Sequence, residues 1–383
     1  MNAYIIGSST TKFGELWNIS PRSLATEAVT GAVADANIKT NDIDALFVGN
    51  MLSGLLGGQE HLGAFFADQL GLNVPASKVE GACASGGLAV HAAMMAVISG
   101  MYETVCILGV EKMTDHKPED VARALMGAGS QDERFSGITF PGLYAILARA
   151  HMKKFGTTSK QMASVAVKNH FHASLNKKAQ FNKQITAEEV LRSTKIADPL
   201  RLLDCSPISD GASAVILTSK KPLLKKNKPV QVAASSVATD TLGLAGRDSL
   251  TELKATRIAA QKAYTDSSIG PSDVNVAEVH DCFTIAEILA VEDLGFYDKG
   301  EVADEIEKGK TRINSKKGIV VNTSGGLKGC GHPVGATGVK QIVEICDQLM
   351  GRAGDRQVAG AKVGLAHNVG GSGATAVVHI LKK

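Results

Sequence analysis

The chain has 383 residues, of which 44% are hydrophobic and 4% aromatic, with 40 glycines and a formal net charge of +3. That length can bury two substantial cores, and the near-neutral charge gives no broad basic surface for nucleic acid. Abundant glycine with few aromatics suits helices packed tightly on a sheet, and argues against a coiled coil or a disordered chain.

Ala3 to Gly7 reads as a short strand. A helix follows with Ser20 as its N-cap and Pro21 at its first position, running to about Ala36. Asp44–Gly49 is the next strand, His61–Leu70 a helix, and Lys78-Val79 the end of a further strand. Then comes Glu80-Gly81-Ala82-Cys83-Ala84-Ser85-Gly86-Gly87-Leu88, opening an apolar helix to about Ser99. Cys83 thus stands where a buried helix begins, and the helix dipole is expected to ease ionisation of its thiol. Gly86 and Gly87 are expected to leave open space beside the sulfur. Val105–Gly109 is a buried strand. Strand and helix alternate throughout, which predicts an α/β layered domain.

Between about Thr114 and Pro207 the pattern changes, with helices predicted over Gly142–Phe155, Lys160–Leu175 and Ala187–Ser193. An insertion of this length in a regular fold usually carries binding function. His170-Phe171-His172 has the spacing of a metal pair but no further ligands nearby, so an exposed helix surface and no metal are expected. The stretch from Ser219 to Pro229 holds five lysines and two prolines and reads as a solvated linker.

Beyond that linker the first half returns. Ala28 to Asn50 aligns without gaps with Ala259 to Asp281, Tyr4–Ser9 resembles Val230–Ser235, and Asp210–Leu217 resembles Ser372–His379. Each pair holds the same place in its half, which predicts a duplicated α/β domain.

The second half carries its own chemical residues. His280-Asp281-Cys282-Phe283 follows a predicted strand at Val276–Val279 and precedes a helix over Thr284–Leu294. The strand's carboxyl end is where open α/β sheets place ligands. From Asn322 to Gly338 six glycines surround His332-Pro333 and predict a loop that approaches a ligand closely. The loop lacks the Gly-Lys-Ser/Thr of a nucleotide phosphate loop and the third glycine of a dinucleotide fingerprint. A neutral His332 held near a thiol is a common means of making a thiolate. Finally, Ala366-His367-Asn368-Val369-Gly370-Gly371 joins a strand to a glycine turn with backbone N–H groups suited to an oxyanion hole.

Six cysteines without a CxxC pair point to reduced, intracellular thiols. The N-terminus lacks the features of a signal peptide and the C-terminus a peroxisomal tripeptide, so a cytoplasmic location is expected. Residues 81–102 carry no formal charge, yet His91 and many Gly, Ser and Ala make a buried helix the better reading, with no membrane span.

Taken together, ACASGG at Cys83, the His280-Asp281-Cys282-Phe283 tetrad, GHPVGATG from Gly331 and the His367-Asn368-Val369-Gly370 turn resemble the thiolase superfamily in order and spacing. The resemblance covers nearly the whole chain. It implies duplicated βαβαβαββ halves in a five-layer α-β-α-β-α arrangement. Residues 1–113 with 208–220 would form the N-terminal half, 114–207 an inserted loop domain for CoA and substrate, and 229–383 the C-terminal half. The chain departs from typical thiolases in lacking the C-terminal catalytic cysteine, while Cys282 offers a thiol from the other loop. That exchange resembles the sterol-carrier-protein type, particularly the archaeal acetoacetyl-CoA thiolases.

Carried onto these positions, the resemblance implies an acetyl-CoA C-acetyltransferase. Cys83 would be the acyl-carrying nucleophile, His332 its activator and an oxyanion donor, Cys282 the acid/base and His280 a second oxyanion donor. The backbone N–H groups of Cys83 and Gly370 would hold the acyl oxygen, with Asn368, Gly331 and Ser324 as substrate contacts. Coenzyme A would be a co-substrate, with no permanently bound cofactor. A homodimer or dimer of dimers is implied, as is assembly with 3-hydroxy-3-methylglutaryl-CoA synthase through a zinc-binding OB-fold protein, feeding the mevalonate pathway. Two alternatives stand beside this: a thiolase for longer 3-ketoacyl-CoA, separated from the short-chain reading by the bulk of a pocket wall with Phe135, Phe140, Leu143 and Tyr144 as its candidates, and a catalytically silent lipid-carrying or scaffold protein.

Overall fold

A computed structural model describes residues 2–226, 228–315 and 318–383. Ten strands form one sheet: β1 (Ala3–Thr10), β2 (Ala45–Gly49), β3 (Ala76–Val79), β4 (Thr104–Glu111), β5 (Gly211–Thr218), β6 (Val230–Thr239), β7 (Val276–Glu278), β8 (Val320–Val321), β9 (Val363–Gly370) and β10 (Thr375–Lys382). Their spatial order is β8-β7-β9-β10-β6-β1-β5-β4-β2-β3. Adding five to each label of the first half, read outward from β1, gives the second half read outward from β6. The two halves meet where β1 and β6 pair antiparallel, Ala3 opposite Val232 and Ile5 opposite Val230. All three aligned sequence pairs fall on equivalent elements, so the duplication read from the sequence is a duplication in space.

The principal helices are α1 (Pro21–Asp35), α2 (Leu62–Gln69), α3 (Ser85–Ile98), α4 (Pro118–Leu125), α5 (Phe140–Phe155), α6 (Ser159–Ser174), α7 (Ala187–Arg192), α8 (Lys254–Ser267), α9 (Thr284–Asp293), α10 (Gly326–Cys330) and α11 (Val334–Met350). Ser20 caps α1 by accepting from Ser23 N at 3.1 Å, with Pro21 at the first position as predicted. Alternation along the strands sorts the cores. Cys106 and Leu108 of β4 pack outward with α1 and α2, while Val105 and Ile107 pack inward against α3 and α11. Leu365, Val378 and Ile380 face outward with α8 and α9. The layers are therefore helix, strand, the central pair α3 and α11, strand, helix.

Two local expectations are corrected. His170 and His172 are buried rather than exposed. Asn322 O lies 2.9 Å from Nδ1 of His172 and Ile313 N donates to its Nε2, so this side chain ties α6 to the chain on both sides of β8. The lysine-rich joint contains a short helix, Lys221–Lys226. The glycine-rich stretch is largely helical, because Gly326 to Cys330 is α10 and Val334 begins the 17-residue α11. Glycines there serve contact between elements: a Cβ on Gly329 would sit 2.7 Å from the Ala173 Cβ of α6. Among the described residues no helix is long and apolar enough to cross a membrane.

Candidate active site

Cys83 and His332 hold equivalent places in the two halves, each two residues before the first residue of a central helix, α3 or α11. The helices cross with almost nothing between them. A Cβ on Gly86 would lie 2.7 Å from Gly335 O, and one on Gly338 would lie 2.2 Å from Gly87 N. Gly86 and Gly87 are thus taken up by contact between elements, and the space beside the sulfur is not made by them, contrary to the sequence expectation. That contact brings the two helix N-termini, and so the thiol and the imidazole, to one point.

The turn holding Cys83 is tightly tied. Ala82 adopts φ +54°, Ser85 Oγ donates to Ala82 O at 2.6 Å, and Gly81 N donates to Ser85 Oγ at 3.0 Å. Cys83 Sγ and a ring nitrogen from each of His280 and His332 lie within 4.8 Å of one another. The two imidazoles meet edge to face, with centroids 5.1 Å apart.

Hydrogen bonds fix both tautomers. Thr337 Oγ1 donates to Pro333 O at 3.0 Å, so at 2.7 Å it accepts from Nδ1–H of His332 and leaves Nε2 as the basic nitrogen. The Asn368 amide is oriented by Gly87 N, which donates to its Oδ1 at 3.0 Å. Its Nδ2 then donates to Cys83 O at 3.0 Å and to His280 Nδ1 at 3.1 Å. His280 therefore carries its proton on Nε2, which is buried and has no hydrogen-bond partner among the described residues. A lone buried donor facing a cavity is what an incoming oxyanion needs.

Electrostatics correct the expectation for Cys83. Burial, reinforced by the Glu111 and Glu80 charges, pushes the thiol up to about 12, and the N–H groups of Gly371 and of Cys83 itself offset only part of this. The helix-dipole argument fails because Cys83 precedes the cap residue, Ala84, and is dry. Burial and then Lys340 push His332 down to about 3, so the resting pair is thiol and neutral imidazole. Cys282 is driven well above its ordinary value by burial, and the leading opposing contribution is a hydrogen bond from Tyr144.

Cys83, His280, His332, Cys282 and Gly371 line one cavity of about 200 Å³, whose wall is otherwise mostly apolar, with Met113, Leu125, Phe140, Tyr144, Ile208 and Val334 beside Thr139 and Ser206. Phe140 and Tyr144 are thus wall residues, as expected. Leu143 is buried in the neighbouring core, and Phe135, 78% exposed, is not part of the wall. His280 and Cys282 point into the cavity while Asp281 points away, accepting from Leu327 N at 2.7 Å and so capping α10.

Four expected contacts fall elsewhere or act differently. The backbone N–H reaching Cys83 Sγ is that of Gly371, one residue past Gly370. Asn368 orients Cys83 and His280 and does not line the cavity. Gly331, at φ +112°, is enclosed by Ser209, Gln180 and Phe13. Ser324 belongs to a buried ion pair, with Oγ 2.5 Å from Glu278 and 2.7 Å from Lys340 Nζ.

Sequence reasoning missed Glu111, at the carboxyl end of β4. It accepts from Met51, Leu52 and Gly335 N–H groups and from the Asn50 amide, which ties the chain after β2 to the start of α11. A lone acid after a strand gives no signal of such a role. An acid at the end of an apolar run, Val105–Leu108 leading to Glu111, was the available hint.

Residues 3–221 match the thiolase N-terminal domain and residues 236–383 the thiolase C-terminal domain. The chain is similar to acetyl-CoA acetyltransferase of Methanothermobacter thermautotrophicus, at 51% identity over 99% of each chain. It is also similar to sterol carrier protein 2 of Bos taurus, at 34% identity over 98% of this chain and 71% of that protein. A solved Ltp2–ChsH2(DUF35) aldolase structure superposes with a TM-score of 0.85 at 26% identity, covering 100% of this chain and 97% of that one.

Proposed function

Since the chain belongs to the thiolase family and is an acyltransferase of that family, we propose that it interconverts two acetyl-CoA with acetoacetyl-CoA and CoA. The observation that carries this reading is the convergence of two thiols and two oriented imidazoles on one small apolar cavity. A cavity of about 150 Å³ holds a benzene-sized molecule, so about 200 Å³ suits an acetoacetyl group and leaves little room for a long acyl chain.

In the cleavage direction His332 Nε2 takes the Cys83 proton as Sγ attacks the 3-keto carbon. The carbon–carbon bond breaks, leaving acetyl on Cys83 and the enolate of acetyl-CoA, whose oxygen accepts from His280 Nε2–H. The Cys282 thiol protonates the enolate carbon and becomes a thiolate facing the His332 imidazolium. CoA gives its thiol proton to Cys282 and attacks acetyl-Cys83. The released Cys83 sulfur recovers the proton held by His332, so protons balance over the cycle. Gly371 N–H and Cys83 N–H suit the acyl oxygen, Gly371 replacing the Gly370 of the sequence expectation. The region 114–207, which supplies α4 and α5 to the cavity wall, is the part we assign to CoA.

The test is loss of acetoacetyl-CoA in the presence of CoA, with Cys83→Ala and Cys282→Ala beside the wild type. Rapid loss in the wild type and a fall of at least 10³-fold in either variant, on the scale of removing a group from a concerted set, is expected. Activity that survives Cys282→Ala would refute its acid/base role.

We further propose a cytoplasmic homodimer. The six cysteines are all free, in keeping with a reducing cytoplasm. At one end of the sheet, β3 is hydrogen-bonded to β2 on one side only, an edge that a second copy could extend, in keeping with a homodimer. Supply of acetoacetyl-CoA to the mevalonate pathway, in a complex with 3-hydroxy-3-methylglutaryl-CoA synthase bridged by a zinc-binding OB-fold protein, completes it. The DUF35 component of the aldolase neighbour gives this partner reading a motive. Size-exclusion of the mixed proteins tests it, and separate elution would rule it out.

A further inference from the structure

Tyr144 is a buried phenol that the reaction scheme above does not use. It projects from α5 into the cavity, its ring packed on Phe283 with centroids 4.6 Å apart. Its hydroxyl donates to Gly371 O at 3.1 Å, and it lines the cavity together with Cys282, whose neighbour Phe283 its ring packs on; Cys282 is the sulfur toward which the hydroxyl can turn. It therefore faces both loops of the site: the cysteine that exchanges the carbon-bound proton, and the glycine whose N–H faces Cys83. Arg247 holds the next residue of the same turn, donating to Ser372 O at 2.7 Å.

A phenol has one proton and two acceptors are in reach here. While Cys282 is a thiol, the phenol proton can rest on Gly371 O and the thiol S–H can point at the phenol oxygen. Once Cys282 has given its proton to the substrate carbon, the anionic sulfur is the stronger acceptor and the phenol O–H turns to it. No bond to oxygen breaks and Tyr144 stays neutral, its own ionisation pushed well up by burial and by Cys282. We propose that Tyr144 is a positioning residue whose hydroxyl alternates between Gly371 O and Cys282 Sγ, holding Cys282 as the anion between its two proton transfers. This rests on the thiolase reading and adds to it a residue that decides when Cys282 can act as a base.

Tyr144→Phe keeps the ring against Phe283 and removes only the hydroxyl. The direct readout is alkylation of Cys282 by iodoacetamide against pH in a Cys83→Ser background, located by peptide mass spectrometry, because only the thiolate reacts. Adding Tyr144→Phe is expected to move this profile to higher pH and to slow alkylation near neutrality roughly ten- to a hundredfold, as loss of a hydrogen bond to a charged group implies. In the enzyme with Cys83 intact, the same change should lower kcat by a similar factor near neutrality, recovering as pH rises, with KM within about twofold. An unmoved alkylation profile overturns the proposal, whether kcat holds or falls together with the melting temperature. The two readings fail separately. A wild type that does not cleave acetoacetyl-CoA while Tyr144→Phe still shifts the profile would remove the thiolase reading and leave the Tyr144–Cys282 pairing standing.

Discussion

Cys83 and His332 illustrate how burial can oppose the chemistry a site must perform. Raised to about 12 and lowered to about 3 respectively, they favour the uncharged pair at rest. On the mechanism proposed, the thiolate is made only as substrate binds and His332 takes the proton, so the free enzyme should resist alkylation. With the thiol near 12 and an ordinary cysteine near 8.5, iodoacetamide should modify Cys83 on the order of 10³-fold more slowly than an exposed thiol at pH 7. The rate should climb through pH 9 without a plateau. A plateau already reached at neutral pH would reveal a standing thiolate–imidazolium pair. The cysteines and histidines themselves were legible in the sequence, because each sits beside a strand end or a glycine turn. Their partners were not. Asn368 meets Cys83 across 285 positions of chain and Glu111 meets Gly335 across 224, and separations of that kind leave no local period or spacing to read.

At the scale of elements, the glycines around Cys83 and His332 are the structural device that makes the site. Read as a sequence, six glycines between Asn322 and Gly338 suggested an open loop. In space two of them, Gly335 and Gly338, lie in the first turns of α11 and press on β2 and α3 respectively. The helical period of Val339, Ile342, Val343, Ile345 and Leu349 was present in the sequence, but the glycine run before it masked the start. The strand and helix order of both halves was legible because each strand is a short apolar run between turn residues. A substitution tests the contact directly. A Cβ at Gly338 would meet Gly87 N at 2.2 Å and Asn368 Oδ1 at 2.4 Å, so Gly338→Ala must separate α3 from α11 and displace the amide that orients Cys83 and His280. Overpacking of a buried contact typically costs about 1–3 kcal/mol, and activity should fall further than stability because geometry at both groups is disturbed. Gly127→Ala, whose nearest neighbour is a leucine methyl at 3.7 Å, is the control and should leave both unchanged. Wild-type activity in Gly338→Ala, measured beside the urea midpoint, would show that the close crossing does not set the geometry.

Across the whole molecule, duplication has a thermodynamic consequence, because the two halves bury a polar centre where their strand ends meet. His280, His332 and His367 lie in or beside that centre, and His170, His172 and His379 are buried elsewhere. All six have their ionisation pushed down, chiefly by burial, His170 to about 4 and His332, His367 and His379 to about 3. Unfolded, each would titrate near 6.5. A histidine whose folded value is depressed contributes stability that is fully present above the unfolded value and is lost as pH falls toward the folded one. Glu111 and Asp281 work the other way. Held up at about 7 by burial, they keep a proton that the unfolded chain has released, so the fold gains from them as pH drops below 7. Between pH 6.5 and 5.5 the histidines therefore outweigh these two carboxyls. One proton of difference is worth at most about 1.4 kcal/mol per pH unit, so a net difference of up to four protons gives a slope of up to about 5 kcal/mol per unit. Domains of this kind are commonly stable by about 5–15 kcal/mol, and such a slope would exhaust that margin well above the range where exposed carboxylates titrate. The urea midpoint should therefore fall steadily from pH 7 to 5.5 at constant m-value. Stability that is flat or rising over that interval would mean that water or a rearranged centre admits charge on the buried histidines.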